Sequence, residues 1–254
     1  MVGNYPKAEK LFRKSLIILR QHLGEDDSLT LHPVENLAEI LSRQKKHEES
    51  IELFQECLGK RQSLLGKNHP KTIKTMGFLA CAYGEQGSGE SIDRAAVLYR
   101  SCYQMQKSLL GDNHPETLKN MGYLAWALSI KGHFAEADVL FQKCLDIQKS
   151  VLGINHNDTL RTVENLGRNF YLQKQYDAAA VVFKELFDAQ KVVLGENHPF
   201  TLRAMYLLAL TLFDTEKFDE AIGLFRNCLA RQKLVLGKNH RDTLETESIL
   251  KKML

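Results

Sequence analysis

The side chains that first invite a chemical reading are histidines. Five of the nine, His69, His114, His156, His198 and His240, recur at intervals of 45, 42, 42 and 42 residues. Imidazole is a frequent metal ligand, but a zinc site needs three or four ligands converging on one ion. Histidines a whole interval apart cannot converge, and no second ligand type stands beside them at zinc spacing. Metal binding is therefore not expected; their expected work is to fix the turn in which each sits. The five cysteines read the same way. Cys57, Cys102, Cys144 and Cys228 share one position in the period, which the two remaining copies fill with Ser15 and Leu186. A slot that accepts a thiol, a hydroxyl or an isobutyl group is a packing slot, so free thiols in a reducing compartment are expected. There is no phosphate-binding Gly-rich loop, no Gly-x-Ser-x-Gly elbow and no His-Glu-x-x-His. The sequence thus points to neither catalysis nor a cofactor.

What positions these residues is one recurring phrase, Leu-Gly-x-Asn-His-Pro-x-Thr-Leu, clearest at Leu110 to Leu118. Its glycines are Gly24, Gly66, Gly111, Gly153, Gly195 and Gly237, with spacings of 42, 45, 42, 42 and 42. A fixed period of this length is the signature of a repeat array in which each unit packs on its neighbours. The 34 basic and 31 acidic side chains leave a net charge of +3, too little to attract nucleic acid or anionic lipid along the whole chain. No stretch approaches the roughly 18 apolar residues of a membrane helix, and Met1 to Lys10 lacks the pattern of an export signal. A soluble, cytoplasmic protein is expected.

Each period divides into two helical stripes. The leading helices carry apolar residues at spacings of three, one and three: Val34, Leu37, Ala38, Leu41; Met76, Leu79, Ala80, Tyr83; Met121, Leu124, Ala125, Leu128; Val163, Leu166, Gly167, Phe170; Met205, Leu208, Ala209, Leu212. That spacing buries one helical face. Trailing helices follow a short polar break, with stripes such as Ala137, Leu140, Phe141, Cys144, Leu145. Met1 to Leu23 reads as a lone trailing helix burying Ala8, Leu11, Phe12, Ser15, Leu16 and Leu19, and Gly24 as a left-handed residue at its end. The three extra residues of the longer interval fall in Gly84 to Ile92, which reads as a turn bulging outward. The expected fold is all-α: one solenoid over residues 1–254, with a half repeat at 1–28, full pairs at 29–70, 71–115, 116–157, 158–199 and 200–241, and a half repeat at 242–254. Starting and stopping in mid repeat suggests a segment of a longer protein.

Paired helices with a small residue in each (Ala95, Ala137, Ala179, Ala221) and this linker resemble tetratricopeptide repeats. The 42-residue period, with Asn36, Leu37, Ala38 and Asn165, Leu166, Gly167 at a recurring Asn-Leu-Ala, is similar to the long subtype of kinesin light chains, nephrocystin-like proteins and sensor arrays of some nucleotide-binding switch proteins. The resemblance implies a right-handed superhelix whose leading helices line a peptide-binding groove, with Asn36 and Asn165 holding ligand backbone. It departs from the kinesin light chain pattern elsewhere. Phe78, Tyr123, Leu207 and Ile249 replace that asparagine, the first asparagine of the pair is absent throughout, and no heptad segment is present.

On the leading helices, the face away from the core stripe carries apolar residues toward the C-terminal half: Trp126, Tyr171, Tyr206, Leu210 and Phe213. An exposed patch of this kind marks a contact surface. Two readings are open, a wall for a ligand or packing against neighbouring helices. Gly77 and Gly122 would leave space for a ligand side chain beside that wall. The same face begins with Lys74, Lys119, Arg161 and Arg203, a basic ladder suited to acidic side chains, or simply a solubilising set. The function expected is a non-enzymatic, kinesin-light-chain-like adaptor or scaffold that binds an acidic peptide with an aromatic or apolar anchor. The alternative is an assembly or sensor array that self-associates, or packs on another domain, through the apolar half of the groove.

Overall fold

The computed structural model describes residues 5–24 and 27–253. Among the described residues there are twelve helices and no strand: α1 (Tyr5–Leu23), α2 (Ser28–Arg43), α3 (His47–Leu65), α4 (Pro70–Gln86), α5 (Gly89–Leu110), α6 (Pro115–Ile130), α7 (Phe134–Val151), α8 (Asn157–Leu172), α9 (Tyr176–Leu194), α10 (Pro199–Asp214), α11 (Phe218–Val235) and α12 (Arg241–Met253). Even-numbered helices are the leading ones and odd-numbered helices the trailing ones. The chain forms two compact units, Met1–Lys131 and Gly132–Leu254. Within each, every helix packs on the next in sequence, and in the first α2 also touches α4. None of these helices is long and apolar enough to cross a membrane.

The stripes read from spacing form the core. Val34, Leu37, Ala38 and Leu41 are at most 1 % exposed, and the counterparts on α4, α6 and α10 are buried as well. Of the α8 stripe, Leu166 and Gly167 are buried, while Val163 and Phe170 are half-buried. Gly167 is held against the Phe183 ring so closely that an added Cβ would lie 2.6 Å from it. The recurring cysteines fill interior slots: Cys57, Cys102 and Cys228 donate to the carbonyls of Leu31, Ile73 and Leu202. Burial pushes their thiols up to about 11, about 12 and about 12, which removes the thiolate at neutral pH.

Two expectations are corrected. Leu11 is 60 % exposed, because α1 packs on α2 along a narrow strip through Leu16, with Phe12 beside it. The extra three residues do not bulge: α4 continues to Gln86 and α5 begins at Gly89, so the insertion lengthens helix, mainly α5. Only Gly87, at φ +74, and Ser88, whose hydroxyl accepts from Ser91 N, make the turn.

The junction between repeats explains the recurring phrase. Gly66, Gly111 and Gly195 take φ of 86 to 88° with ψ of 160 to 169°, an extended mirror-image conformation. That region is essentially closed to any residue with a Cβ. Three residues on, the histidine caps the next helix. Nδ1 of His69, His114, His156, His198 and His240 accepts the backbone N–H two residues ahead, each at 3.2 Å. At the first junction Asp27 takes this place, accepting from Leu29 N at 2.8 Å. Proline at the first helical position of α4, α6 and α10 removes a donor that has no partner there. Replacing the cap in His198→Ala should cost about 1 kcal/mol, and His198→Asp should recover most of it. Urea denaturation midpoints of the two variants against the parent chain measure this.

Candidate functional site

Between leading helices α4 and α6 of the first unit lies a cleft of about 500 Å³. Helix α4 presents Lys74, Gly77, Phe78 and Cys81 to it, one stripe of helical spacing, and α6 presents Lys119, Asn120 and Tyr123. The end of α5 supplies Gln106 and two leucines. Cations stand on both walls. Lys74 Nζ lies 5.3 Å from the Phe78 ring centroid, and Lys119 Nζ is 3.9 Å from Glu116 Oε2. Tyr123 stacks at 5.1 Å on Tyr99, whose hydroxyl donates to Cys81 Sγ at 3.1 Å. Burial holds that phenol well above its usual range. Beneath these rings Asn120 Nδ2 donates to Gln106 Oε1 at 2.6 Å and to Glu116 O at 3.2 Å.

The structure brings together Lys74, Lys119 and Gly77 from the sequence-based set. It places the others against their own neighbours. Trp126 is half-buried over Gly84, where an added Cβ would come within 3.0 Å of its ring. In the second unit the Tyr171 hydroxyl donates to Asp214, and its ring lies 5.3 Å from Tyr176. Tyr206 donates to Glu245 at 2.9 Å and Phe213 lies edge-on to Phe218 at 5.3 Å. Burial and these carboxylates push both tyrosine hydroxyls well above their usual range. Leu210 packs on the same core, half-buried. Arg161 pairs with Asp158 and Arg203 with Glu164, each at 2.9 Å, so this part of the basic ladder already faces carboxylates. Asn36 is engaged by His32 Nδ1 at 2.9 Å, and Asn165 is half-buried on α8. Spacing did not single out Asn120 or Gln106. For Asn120 the signal lies in comparing repeats, since Thr75, Thr162, Ala204 and Thr246 hold its position; Gln106 carries no such signal, because Gln148, Gln190 and Gln232 hold its own.

One level earlier in the same unit the corresponding space is filled. Glu35, at the repeat position of Gly77, is 6 % exposed and pairs with Arg61 Nη1 at 2.7 Å. Thr75 Oγ1 donates to the same carboxylate at 2.9 Å, and Arg61 also donates to Thr75 Oγ1 and to Lys71 O. Arg61 and Thr75 hold the repeat positions of Gln106 and Asn120. Removing one partner of a buried pair leaves an uncompensated charge, so Glu35→Ala should destabilise the chain by about 3 kcal/mol. The double variant Glu35→Ala/Arg61→Leu should lose much less. Denaturation of the single and double variants checks the cycle.

Two tetratricopeptide repeat profiles match the chain, one over residues 28–88, 89–150 and 134–191 and the other over 1–28 and 201–242. No match of significance is found among curated proteins. Among solved structures, the kinesin light chain nearly identical TPR-like repeats of Podosopora anserina superpose with a TM-score of 0.68 at 24 % identity, covering 80 % of this chain and 94 % of that one. BtubC (BKLC) from P. vanneervenii gives 0.72 at 16 % identity and 94 % of each chain. NprR, in complex with its cognate peptide NprX, gives 0.66 at 15 % identity, covering 96 % of this chain and 68 % of that one. At these identities the superpositions speak for the fold. With helix pairs, junctions and profiles in agreement over most of its length, the chain belongs to the tetratricopeptide repeat family.

Proposed function

We propose that this chain is a non-enzymatic interaction module of the adaptor or scaffold kind, which binds a peptide segment of a partner protein along its leading helices. The cleft between α4 and α6 carries the reading: an apolar hollow with a lysine on each wall is built to take an anchor side chain while selecting acidic neighbours. Lys74 and Lys119 supply the selection there. In the second unit, Arg161 and Arg203 with the exposed parts of Tyr171, Tyr206, Leu210 and Phe213 offer a contact surface of that unit's own, and Asn36 and Asn165 offer polar contacts on their own helices. Two similar folds support a peptide ligand, NprR with NprX and a Rap protein complexed with Competence and Sporulation Factor. The setting proposed is cytoplasmic.

A second reading, self-association, has one observation of its own. Where earlier repeats place Ser63, Ser108 and Ser150, the last two place Val192 and Leu234, which are 84 % and 79 % exposed. Apolar groups so open to water favour contact with another apolar surface.

Trp126, the sole tryptophan, lies one turn beyond Tyr123 on α6 and reports on the first unit. Peptides with acidic residues around an apolar anchor should change its fluorescence saturably. Raised salt should weaken them, and Lys74→Glu/Lys119→Glu should weaken them about tenfold, at about 0.5–1 kcal/mol per exposed charge pair. Indifference of the signal to every such peptide would overturn the peptide reading. A concentration-dependent dimer in light scattering, lost in Val192→Ser/Leu234→Ser, would favour self-association.

A further inference from the structure

Two successive levels of the first unit place the same three positions together with opposite outcomes. On α2 the residue after the first core position is Glu35, and its side chain crosses to Arg61 and Thr75. On α4 the residue at that position is Gly77, which has no side chain to send. The groups that would receive it are Gln106 and Asn120, only 7 % and 6 % exposed, and both line the open cleft. A Cβ built on Gly77 would lie 3.8 Å from Asn120 Oδ1, so the space above the amide pair is the space a Gly77 side chain would enter. Both hydrogens of Asn120 Nδ2 are spent, on Gln106 Oε1 and on Glu116 O. What the pair turns to the cleft is therefore one acceptor, Asn120 Oδ1, beside one donor group, Gln106 Nε2.

We infer that this floor is a subsite for a carboxamide side chain, glutamine or asparagine, of the bound segment, which occupies the space that Glu35 fills one level earlier. The inference rests on the peptide-binding reading above and deepens it: the anchor's methylenes lie along the apolar walls, and its tip is a carboxamide that meets the polar floor. The chemistry follows from the exchange of receivers. Arg61 is cationic and calls for a carboxylate, whereas Gln106 and Asn120 are neutral and offer one donor and one acceptor. A carboxamide satisfies both, its oxygen accepting from Gln106 Nε2 and its N–H donating to Asn120 Oδ1. A carboxylate would set its charge against the Asn120 oxygen, and an aliphatic tip would bury both groups without partners, which costs free energy. A peptide backbone is too broad to reach groups more than nine-tenths covered; the tip of a side chain is not. In the second unit the corresponding positions hold side chains of their own with partners: Glu164 pairs with Arg168 and Arg203, and Tyr206 donates to Glu245.

The test uses the full chain labelled with ¹⁵N and three capped amino acids that share a backbone: N-acetylglutaminamide, N-acetylmethioninamide and the N-acetylglutamate amide. The Gln106 side-chain NH₂ resonances, identified by their loss in Gln106→Leu, should shift saturably with the glutamine compound and not with the other two. Gly77→Ala and Gly77→Leu, which cap the floor, should weaken that response by an order of magnitude or more. The ordinary contact distance at Gly77 and the better helix propensity of both replacements keep these variants folded, as circular dichroism will verify. An equal response to the methionine or glutamate compound, a response unchanged in Gly77→Leu, or no response up to the solubility limit would overturn the subsite. If peptides still move Trp126 fluorescence in a salt-sensitive way without regard to glutamine or asparagine content, the module reading stands and the subsite alone falls.

Discussion

The junction glycine and the imidazole that follows it are the constraint on which the rest of the chain depends. At Gly66, Gly111 and Gly195 the backbone turns through a conformation that only glycine adopts freely, and three residues later a histidine Nδ1 closes the first turn of the next helix. The threonine of the phrase is then drawn inward, fully buried at Thr72, Thr117, Thr159, Thr201 and Thr243. Together these set the entry angle of each leading helix, so that equivalent positions in successive repeats meet equivalent neighbours. An Asp at position 27 serves the first junction because the requirement is for an acceptor two residues before the N–H, not for imidazole as such.

Once leading helices are held at a common angle, one side chain decides whether the space between two of them is filled. Glu35 closes the first such space and gives Arg61 and Thr75 a partner; Gly77 leaves the next one open over Gln106 and Asn120. The cleft is thus a deletion relative to the level before it, where Arg61 and Thr75, the counterparts of its polar floor, find their partner in Glu35. Function in a repeat array arises most readily in this way, since the scaffold is redundant and a local change costs little elsewhere.

The core was legible because a spacing of three, one and three has only one helical solution, and Val34 to Leu41 or Met205 to Leu212 show it without ambiguity. Lys74, Lys119 and the open position at Gly77 were legible too, as members of the face opposite that core. What escaped was pairing across repeats. Tyr206 meets Glu245 and Arg203 meets Glu164, both 39 residues away, and Tyr171 meets Asp214 43 away, so contacts between neighbouring leading helices join positions offset from the 42-residue period. That offset is a property of packing which no single period displays, so a face that looked free proved to be partly spent on its neighbours. Asn120 and Gln106 were missed for a related reason. Both lie on buried sides of their helices, and only contact with each other reveals them as polar groups facing a cleft.

The central claim is that the absent side chain at position 77 leaves the space between α4 and α6 open to solvent and ligand. Cys81 lines that space, while Cys57, Cys102, Cys144 and Cys228 are buried. Alkylation of the native chain with iodoacetamide, followed by mass spectrometry of each cysteine-containing peptide, measures the opening directly. Cys81 should be modified ahead of the other four, and Gly77→Leu should slow it toward their rate. Labelling of Cys81 at the same rate in Gly77→Leu as in the parent chain would contradict the claim.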